Sequence, residues 1–396
     1  MRSVSEMQND ISDLMYEWSE IFRSKAMQSK LITSLVLLTG ILNAAPVFIG
    51  TSTGKNSDSK GIYSADFDSE TGKLSEPKLA AEYQNPGFLA LHPSKPILYA
   101  CGSPKEPFSD ASGSVAAFAI DSSQGLKFLG EASTGGKGAC HLAVDATGRT
   151  VAVANYGGGS LSTIKLDESG VPIAQASFIK HSGEGPSKPR QEGPHPHGVY
   201  FDKSNEFLYV PDLGLDQVFV YPFDAATSKL GEPLPSLATA PGAGPRHMAF
   251  SPDWKNAYVI NELDNTVLAT TTSRKKLTPT SSVPTLPEGF TEKSTTAEIE
   301  VHPNGKFVYG SNRGHDSIVV YQRDEKIGNL KFLQHVPCGG KVPRHFKIDP
   351  TGKWLLCAHA DSDTISVLPL NPATGMLGSP VNTVASPNPI CILFAR

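Results

Sequence analysis

The chain has 396 residues, with 35 basic and 39 acidic side chains and a formal net charge of −4. This balance and a pI near 6.3 exclude the strongly basic surface that nucleic-acid-binding proteins use. The 36 glycines and 31 prolines, together with short apolar runs, favour many short strands over long helices.

The first 45 residues differ in pattern from the rest. A basic head at 27–30, an apolar run at 31–42 and small residues at 43–45 predict a signal peptide over 27–45, too short to span a bilayer. Residues 1–26 are acidic and amphipathic, which indicates a non-native start or an extension before Met27. The alternative is a genuine helical extension with a membrane anchor. We expect export to the periplasm or the exterior if 27–45 acts as a signal peptide, and a cytoplasmic protein otherwise.

Seven similar stretches follow, and each begins with a short apolar strand. Their first residues are Pro86, Ala139, Pro196, Pro245, Thr296, Pro343 and Pro389. A repeat of about 50 residues is typical of a propeller blade.

The first copy predicts four strands, and the last copy supplies only one before the chain ends. The four strands are expected at 88–92, 97–101, 114–120 and 126–132, separated by turn residues. Strands that would complete the last copy are predicted near the start of the mature chain, at 47–51, 61–67 and 77–83. We therefore predict an all-β fold, a seven-bladed β-propeller of four-stranded antiparallel blades over 46–396. Pairing of the C-terminal strand with the N-terminal strands closes the ring and removes its open edge.

The first and second strands of a blade run antiparallel. The segment that leads into the first strand therefore lies beside the loop that follows the second strand. One mouth of the central channel therefore collects charged and imidazole side chains. The candidates are His141, Arg190, His195, His197, Asp212, Arg246, Glu262, Arg313 and Arg344, and His247, His345, Asp216 and Asp316 are expected at the same mouth. Arginine binds phosphate or carboxylate and can hold an oxyanion, while histidine or a carboxylate can take a proton from water. The set suits attack of water on an ester or lactone of an anionic small molecule.

Other catalytic chemistries lack a sequence signature. Gly-x-Ser-x-Gly is absent, so a serine nucleophile has no support. The five cysteines are scattered without a C-x-x-C spacing and predict neither a zinc site nor a disulfide framework. His195 and His197 form an H-x-H pair of the kind found in metal sites, but no third ligand with recognisable spacing follows, so neither a metal nor a cofactor is predicted. His92, His302 and His335 are expected at the surface.

Several stretches resemble one known family, the seven-bladed propeller lactonases. They are VANYGGGSL (153–161), GPSKPRQEGPHPHG (185–198), PDLGLDQVFVY (211–221), PGAGPRH (241–247), INEL (260–263) and SNRGHDSI (311–318). The family includes 6-phosphogluconolactonases and fungal carboxymuconate lactonizing enzymes, and the resemblance covers 47–396. It implies a metal-independent lactone hydrolase or a lactone-forming cycloisomerase.

The resemblance also implies roles for individual residues. It assigns catalysis to His141, Arg190 and Arg246, with Glu262 as an acid or base companion by its position. We expect His195 and His197 nearby as substrate-binding residues. Asp212, Arg313 and Arg344 are expected to bind substrate because they lie at the same mouth.

Three functions stay open on the sequence alone. The first is hydrolysis of a sugar-acid lactone, as in 6-phosphogluconolactonases. An export signal weakens 6-phosphogluconolactone itself as the substrate, because phosphogluconate-type members of the family act in the cytoplasm. The second is lactonizing cycloisomerisation of a muconate, and the third is a non-catalytic exported propeller that binds a protein or carbohydrate. We expect a monomer that acts on a small anionic or sugar lactone and binds no nucleic acid.

Overall fold

The computed structural model describes residues 44–54, 57–103, 112–273 and 276–395. The predicted extension at 1–26 and nearly all of the predicted signal peptide at 27–45 lie outside these residues. In the part of the chain that is described, no helix is long and apolar enough to cross a membrane.

The described residues form seven antiparallel sheets. The chain starts with four strands of the seventh blade: β1 (Ala44–Thr51), β2 (Gly61–Asp68), β3 (Lys73–Leu74) and β4 (Lys78–Glu82). Blade one contains β5 (Phe88–Leu91), β6 (Ile97–Gly102), β7 (Ser114–Ile120) and β8 (Leu126–Ser133). Blade two contains β9 (Ala139–Val144), β10 (Thr150–Asn155), β11 (Ser160–Leu166) and β12 (Pro172–Lys180), with a 3₁₀ turn at Tyr156–Gly158. Blade three contains β13 (Tyr200–Phe201), β14 (Phe207–Asp212), β15 (Gln217–Asp224), β16 (Lys229–Leu230) and β17 (Leu234–Ala238).

The remaining blades repeat this order. Blade four contains β18 (Pro245–Phe250), β19 (Asn256–Asn261), β20 (Thr266–Ser273) and β21 (Lys276–Pro284). Blade five contains β22 (Thr295–Val301), β23 (Phe307–Arg313), β24 (Ser317–Arg323) and β25 (Leu330–Pro337). Blade six contains β26 (Pro343–Ile348), β27 (Trp354–His359), β28 (Thr364–Pro369) and β29 (Asn382–Ala385), and β30 (Pro389–Phe394) is the inner strand of blade seven.

Blade seven is assembled from both ends of the propeller chain. β30 pairs antiparallel with β1, with Phe394 opposite Val47 and Ile392 opposite Ile49. The prediction of a seven-bladed propeller closed by its terminal strands is therefore confirmed. The apolar layer between blades six and seven includes Phe67 and Val367, and both are fully buried. Burial of each such side chain is worth roughly 1.5–3 kcal/mol, so the closure has a hydrophobic contribution besides its ladder hydrogen bonds.

Burial changes systematically across each blade. The second strands, such as β6 and β10, are buried at every position, because both of their faces pack against neighbouring blades. The outermost strands, such as β12, alternate between exposed and partly buried residues. Hence the second strands have continuous apolar sequences such as 151–154, whereas the outer strands carry polar and charged residues.

The strand register brings the functional loops together at one mouth. In blade four, Pro245 at the start of β18 lies opposite Asn261 at the end of β19. Arg246 and Glu262 therefore come close in space, as the sequence predicted. At the other face, the expectation of surface histidines is wrong for two of them. His92 and His302 are buried, with Nε2 3.1 Å from the Gly148 carbonyl and 2.9 Å from the Gly352 carbonyl of the next blade.

Candidate active site

A cavity of about 220 Å³ lies at the mouth of the channel, and we refer to it as the mouth pocket. Its walls are formed mainly by the first residues of the inner strands, which converge from six blades. The side chains that line it include Phe88, Cys140, His197, Arg246, His247, Arg344 and His345. The remaining wall includes Ser52, Asn85 and Ser103 besides small and apolar residues, and the volume suits a ligand about the size of one sugar ring.

Glu262 is the centre of an arginine cluster beside the mouth pocket. Its Oε1 lies 2.5 Å from Arg190 Nη2, and its Oε2 lies 2.9 Å from Arg313 Nη2. Arg246 Nε is 3.1 Å from Oε2, an ion pair without hydrogen-bond geometry, while Arg246 Nη1 donates to the Ala297 carbonyl at 2.6 Å. Glu262 thus fixes three guanidinium groups that would otherwise repel one another.

The same cluster controls the charge of Glu262. Burial would raise the pKa of its carboxyl, but Arg313, Arg246 and Arg190 together lower that pKa to about 2. Glu262 is therefore a carboxylate throughout the physiological range and a weak base. The prediction that Arg246 and Glu262 lie together is confirmed, but the geometry favours a positioning role for Glu262 over proton transfer.

Arg344 is the cation most available to a ligand. It lines the mouth pocket, and among the described residues it has no carboxylate partner. Burial, together with the nearby Arg246 and Arg313, lowers the pKa of its guanidinium to about 10. The group remains protonated at neutral pH, so it offers an unpaired positive charge to an anionic group or a developing oxyanion.

His247 and His345 share one buried carboxylate. His247 Nδ1 lies 3.0 Å from Glu298 Oε2, and His345 Nε2 lies 3.4 Å from the same oxygen. His345 Nδ1 accepts a hydrogen bond from the Ile392 amide, so its Nε2 carries the proton. The Nε2 atom of His247 is buried and has no hydrogen-bond partner among the described residues.

Both imidazoles are neutral at physiological pH. Burial, followed by the charges of Arg246 and Arg344, lowers the pKa of His247 well below its usual range. Burial lowers the pKa of His345 to about 3, although Glu298 opposes this shift. A neutral His247 with its Nδ1 proton directed at Glu298 leaves the Nε2 lone pair free, which is the arrangement of a general base.

His141, predicted to be catalytic, packs behind this layer. Its ring lies 4.1 Å from that of Phe88 and 4.9 Å from that of Tyr200, measured between centroids. Its Nδ1 accepts a hydrogen bond from the Val199 amide at 3.3 Å. Because Phe88 lines the mouth pocket and His141 does not, the contacts of His141 favour bracing over direct catalysis.

The predicted pair His195 and His197 separates. His197 lines the mouth pocket, and burial lowers the pKa of its imidazole well below the usual range. His195 stacks on Tyr156 at 4.4 Å, and its Nδ1 lies 2.9 Å from the Tyr156 carbonyl. Arg190 Nη2 donates a hydrogen bond to the Tyr156 hydroxyl at 3.4 Å. His195 therefore supports the position of Arg190 through Tyr156.

Asp212, predicted to bind substrate, is fully buried and already paired. Its Oδ2 lies 2.6 Å from His181 Nδ1, and its Oδ1 accepts the amides of His195 and Gly214 at 2.7 and 3.0 Å. Both oxygens of this buried carboxylate already have partners within the protein. Asp212 therefore holds the 193–197 loop in place, and the predicted substrate contact has no support in the geometry.

The sequence placed His247, His345 and Glu298 at the mouth but did not identify them as catalytic or substrate-binding, and it gave no signal for Phe88. Glu298 lies at the predicted mouth, but the pattern around it, TAEIE, is that of an ordinary strand. The available signal was its place in the repeat, since Glu298 belongs to the inner strand that follows Arg246 and His247. Arg190 and Arg313 lie in the arginine cluster as expected, and Arg190 is the more exposed of the two.

A closed propeller with arginines and neutral histidines in one mouth pocket is the architecture of a small-molecule enzyme. The family model described as "Lactonase, 7-bladed beta-propeller" matches residues 46–394. The chain belongs to that family, which confirms the predicted family and the predicted lactonase class of enzyme.

Individual relatives agree over nearly the whole propeller. The chain is 36% identical over 356 residues to the 6-phosphogluconolactonase of Bacillus subtilis, covering 88% of this chain and 97% of the relative. It is 34% identical to the 6-phosphogluconolactonase of Formosa agariphila, covering 84% and 94%. The solved structure of the periplasmic gluconolactonase of Pseudomonas aeruginosa superposes with a TM-score of 0.81 at 27% identity, covering 89% of this chain and 99% of that one.

Proposed function

We propose that this protein hydrolyses the lactone of a sugar acid in the mouth pocket, with His247 as the general base. The observation that carries the proposal is the pairing of His247 Nδ1 with Glu298, 3.0 Å away, which leaves Nε2 unpartnered among the described residues on a side chain that lines the same pocket as Arg344. A base and an unpaired cation side by side are what attack of water on a carbonyl requires.

The reaction follows from these positions. Water gives a proton to His247 Nε2 while its oxygen attacks the lactone carbonyl carbon, and the carbonyl oxygen becomes an oxyanion. Arg344 and Arg246 stabilise that negative charge. The bond from the carbonyl carbon to the ring oxygen then breaks, and the ring oxygen takes the proton back from His247. The product is the open sugar acid, and Glu298 stabilises the imidazolium that exists between the two proton transfers.

Glu262 acts in this scheme through the arginines. Both oxygens of this carboxylate are paired with guanidinium groups, and Glu262 does not line the mouth pocket, so it is not positioned to take a proton from water there. Its contribution is to fix Arg246 and Arg313 against the pocket wall. Arg190, which is partly exposed and paired with the same carboxylate, is expected in this proposal to bind a substituent of the substrate.

The relatives support a sugar-acid lactone as the substrate class. Those from Bacillus subtilis and Formosa agariphila are named for 6-phosphogluconolactone, and the one from Pseudomonas aeruginosa for gluconolactone in the periplasm. Four arginines around one mouth suit a phosphorylated lactone, whereas the predicted export signal favours an unphosphorylated one. The two substrates differ only in the phosphate, so their relative kcat/KM values decide between them.

The test is a hydrolysis assay of 6-phosphogluconolactone, gluconolactone and carboxymuconate, with spontaneous hydrolysis subtracted. We expect turnover of at least one sugar lactone and a loss of about 10²–10⁴-fold in kcat for His247→Gln, the range typical of a general base. His335→Gln is the matched control, because His335 binds the Thr285 carbonyl away from the mouth. Lactone turnover by His247→Gln at the wild-type rate would refute the assigned base, and turnover of carboxymuconate alone would favour the cycloisomerase.

A further inference from the structure

Two cysteines and a histidine meet at the junction between blades five and six. Cys338 follows β25 of blade five, whereas Cys357 and His359 belong to β27 of blade six. All three are buried, and the donor atoms that they offer lie within 4.8 Å of one another. None of the three lines the mouth pocket, and the proposed hydrolysis uses none of them.

The repeat shows how this junction differs from the others. In each of six blades, the residue that follows the outer strand occupies an equivalent position. Its backbone N–H donates a hydrogen bond to the carbonyl oxygen of the residue just before the third strand. Thr134, His181, Thr239, Thr285, Cys338 and Ser386 all occupy this position. In the next blade, one residue of the second strand pairs with the first residue of the third strand, and at successive junctions it is Asn155, Asp212, Asn261, Asn312 and His359. At the other junctions, the positions equivalent to Cys338 and His359 carry hydroxyl, amide, carboxylate or imidazole groups. Only the junction between blades five and six has a thiol at the first of these positions, among the described residues.

A second thiol enters from a position that is usually aliphatic. Cys357 lies two residues before His359, and the corresponding residues in blades two, three and four are Val153, Val210 and Val259. Its side chain is fully buried in the apolar layer between blades five and six. Two sulfurs and one imidazole are therefore held by ordered strands of two blades.

One donor in this group has no partner to satisfy it. His359 Nδ1 lies 3.3 Å from Thr364 Oγ1, which leaves Nε2 as the nitrogen available to a ligand. That Nε2 is buried and has no hydrogen-bond partner among the described residues. The side-chain oxygens of Asn155, Asn261 and Asn312 also lack partners, but within the described chain only His359 is grouped with two sulfurs.

The backbone around the group orders the Cys338 thiol and the His359 imidazole. Cys338 Sγ lies 3.0 Å from the Asp316 carbonyl oxygen and 3.5 Å from the Gly340 carbonyl oxygen. Gly340 packs closely on the histidine, since a Cβ at this position would lie 2.4 Å from His359 Cγ. The imidazole is thereby held in one orientation, and the protonated Cys338 thiol donates to these two carbonyl oxygens.

We propose that Cys338, Cys357 and His359 bind a soft, thiophilic metal ion that joins blades five and six. Two thiolates and one imidazole are ligands for monovalent copper or for zinc, whereas carboxylate and carbonyl sites suit magnesium and calcium. Zinc in structural sites takes four protein ligands, and this group provides three in a buried place. The ligand number therefore assigns monovalent copper. Binding releases the two thiol protons, forms two bonds from sulfur and one from nitrogen to the ion, and changes no oxidation state.

The experiment uses the full chain, reduced and handled without oxygen. Monovalent copper is titrated in competition with a chromogenic copper chelator, and zinc is titrated in parallel against a zinc chelator. We expect one equivalent of copper to be retained, a thiolate-to-copper absorption band in the near ultraviolet, and a rise in the thermal unfolding temperature. Higher affinity for zinc than for copper, each against its own chelator, would overturn the choice of ion.

The repeat itself supplies variants that should fold. The double variant Cys338→Thr and His359→Asn installs the pair found at the junction of blades four and five, and Cys357→Val installs the residue of three other blades. Each is expected to weaken copper binding by at least about 100-fold, because first-sphere ligands are lost. Cys101→Ala is the matched control, since it removes a buried thiol outside the group and alanine occupies the corresponding positions 154 and 358.

Unchanged copper affinity in the folded double variant and in Cys357→Val would overturn the site. Release of all copper to the chelator by the wild-type chain would overturn it as well. Mass spectrometry of the air-exposed protein provides a further check. A Cys338–Cys357 disulfide, together with no copper binding by the reduced chain, would show that the two thiols form a redox pair instead.

Discussion

Replacement of Glu262 by glutamine is the sharpest test of the arginine cluster. The carboxyl pKa is lowered from 4.5 to about 2 on folding, which corresponds to about 3 kcal/mol of favourable interaction with the charged form. Glutamine keeps the size of the side chain but leaves Arg190, Arg246 and Arg313 without their counter-charge. Removal of one partner from a buried ion-pair group costs about 3–5 kcal/mol, so we expect a loss of this size at pH 7.

The stabilisation by the Glu262 carboxylate depends on pH in a defined direction. The folded-state pKa lies below the unfolded one, so the stabilisation is complete above about pH 4.5 and is lost as the pH falls towards about 2. Urea unfolding of wild type and Glu262→Gln should therefore differ most at neutral pH and converge in acid. Glu184→Gln is the control, because Glu184 forms only an exposed pair with Lys188 and its loss should leave stability unchanged. Equal stability of wild type and Glu262→Gln at pH 7 would refute the reasoning.

Three further predictions concern the catalytic scheme and the N-terminus. Arg344→Ala should lower kcat/KM for the preferred lactone by about 10²–10³-fold, with partial recovery in Arg344→Lys, and steady-state kinetics of both variants measure this. Because burial lowers the pKa of His247 well below 6.5, kcat/KM of the wild type should stay level as the pH falls through 6.5, and an acid limb centred there would contradict the neutral base. Protein recovered from the producing cell should begin at Ala45 or Pro46 if 27–45 is a cleaved signal peptide, which N-terminal sequencing reads directly.

Much of the fold was accessible from the sequence because each blade repeats one pattern. Inner strands begin after proline or a small residue, second strands are continuous apolar runs, and turns such as Asp145–Gly148 carry typical turn residues. These local signals fix the register, and the register alone brings Arg246 and Glu262 together. Closure was predictable for a similar reason, since β30 stands alone at the end of the chain and needs partners.

The sequence could not determine which side chains turn inward or what they meet in the next blade. His92 and His302 follow strands and precede turns, a pattern typical of the surface, yet each ring reaches a carbonyl of the adjacent blade. Glu298 pairs with His247 across a blade boundary, and no spacing in the sequence records that contact. The group of Cys338, Cys357 and His359 escaped notice because its ligands belong to two blades and their spacing matches no known metal motif.

The pairing of β30 with β1 sets an order for folding during synthesis. The first six blades can form as the chain emerges, but β1 has no inner neighbour until Pro389–Phe394 has been made. Contacts between such distant parts of a chain form slowly, and an unpaired strand edge promotes association with other chains. A chain that ends before Pro389 should therefore populate oligomers in sedimentation experiments, because β1 then keeps an unpaired edge.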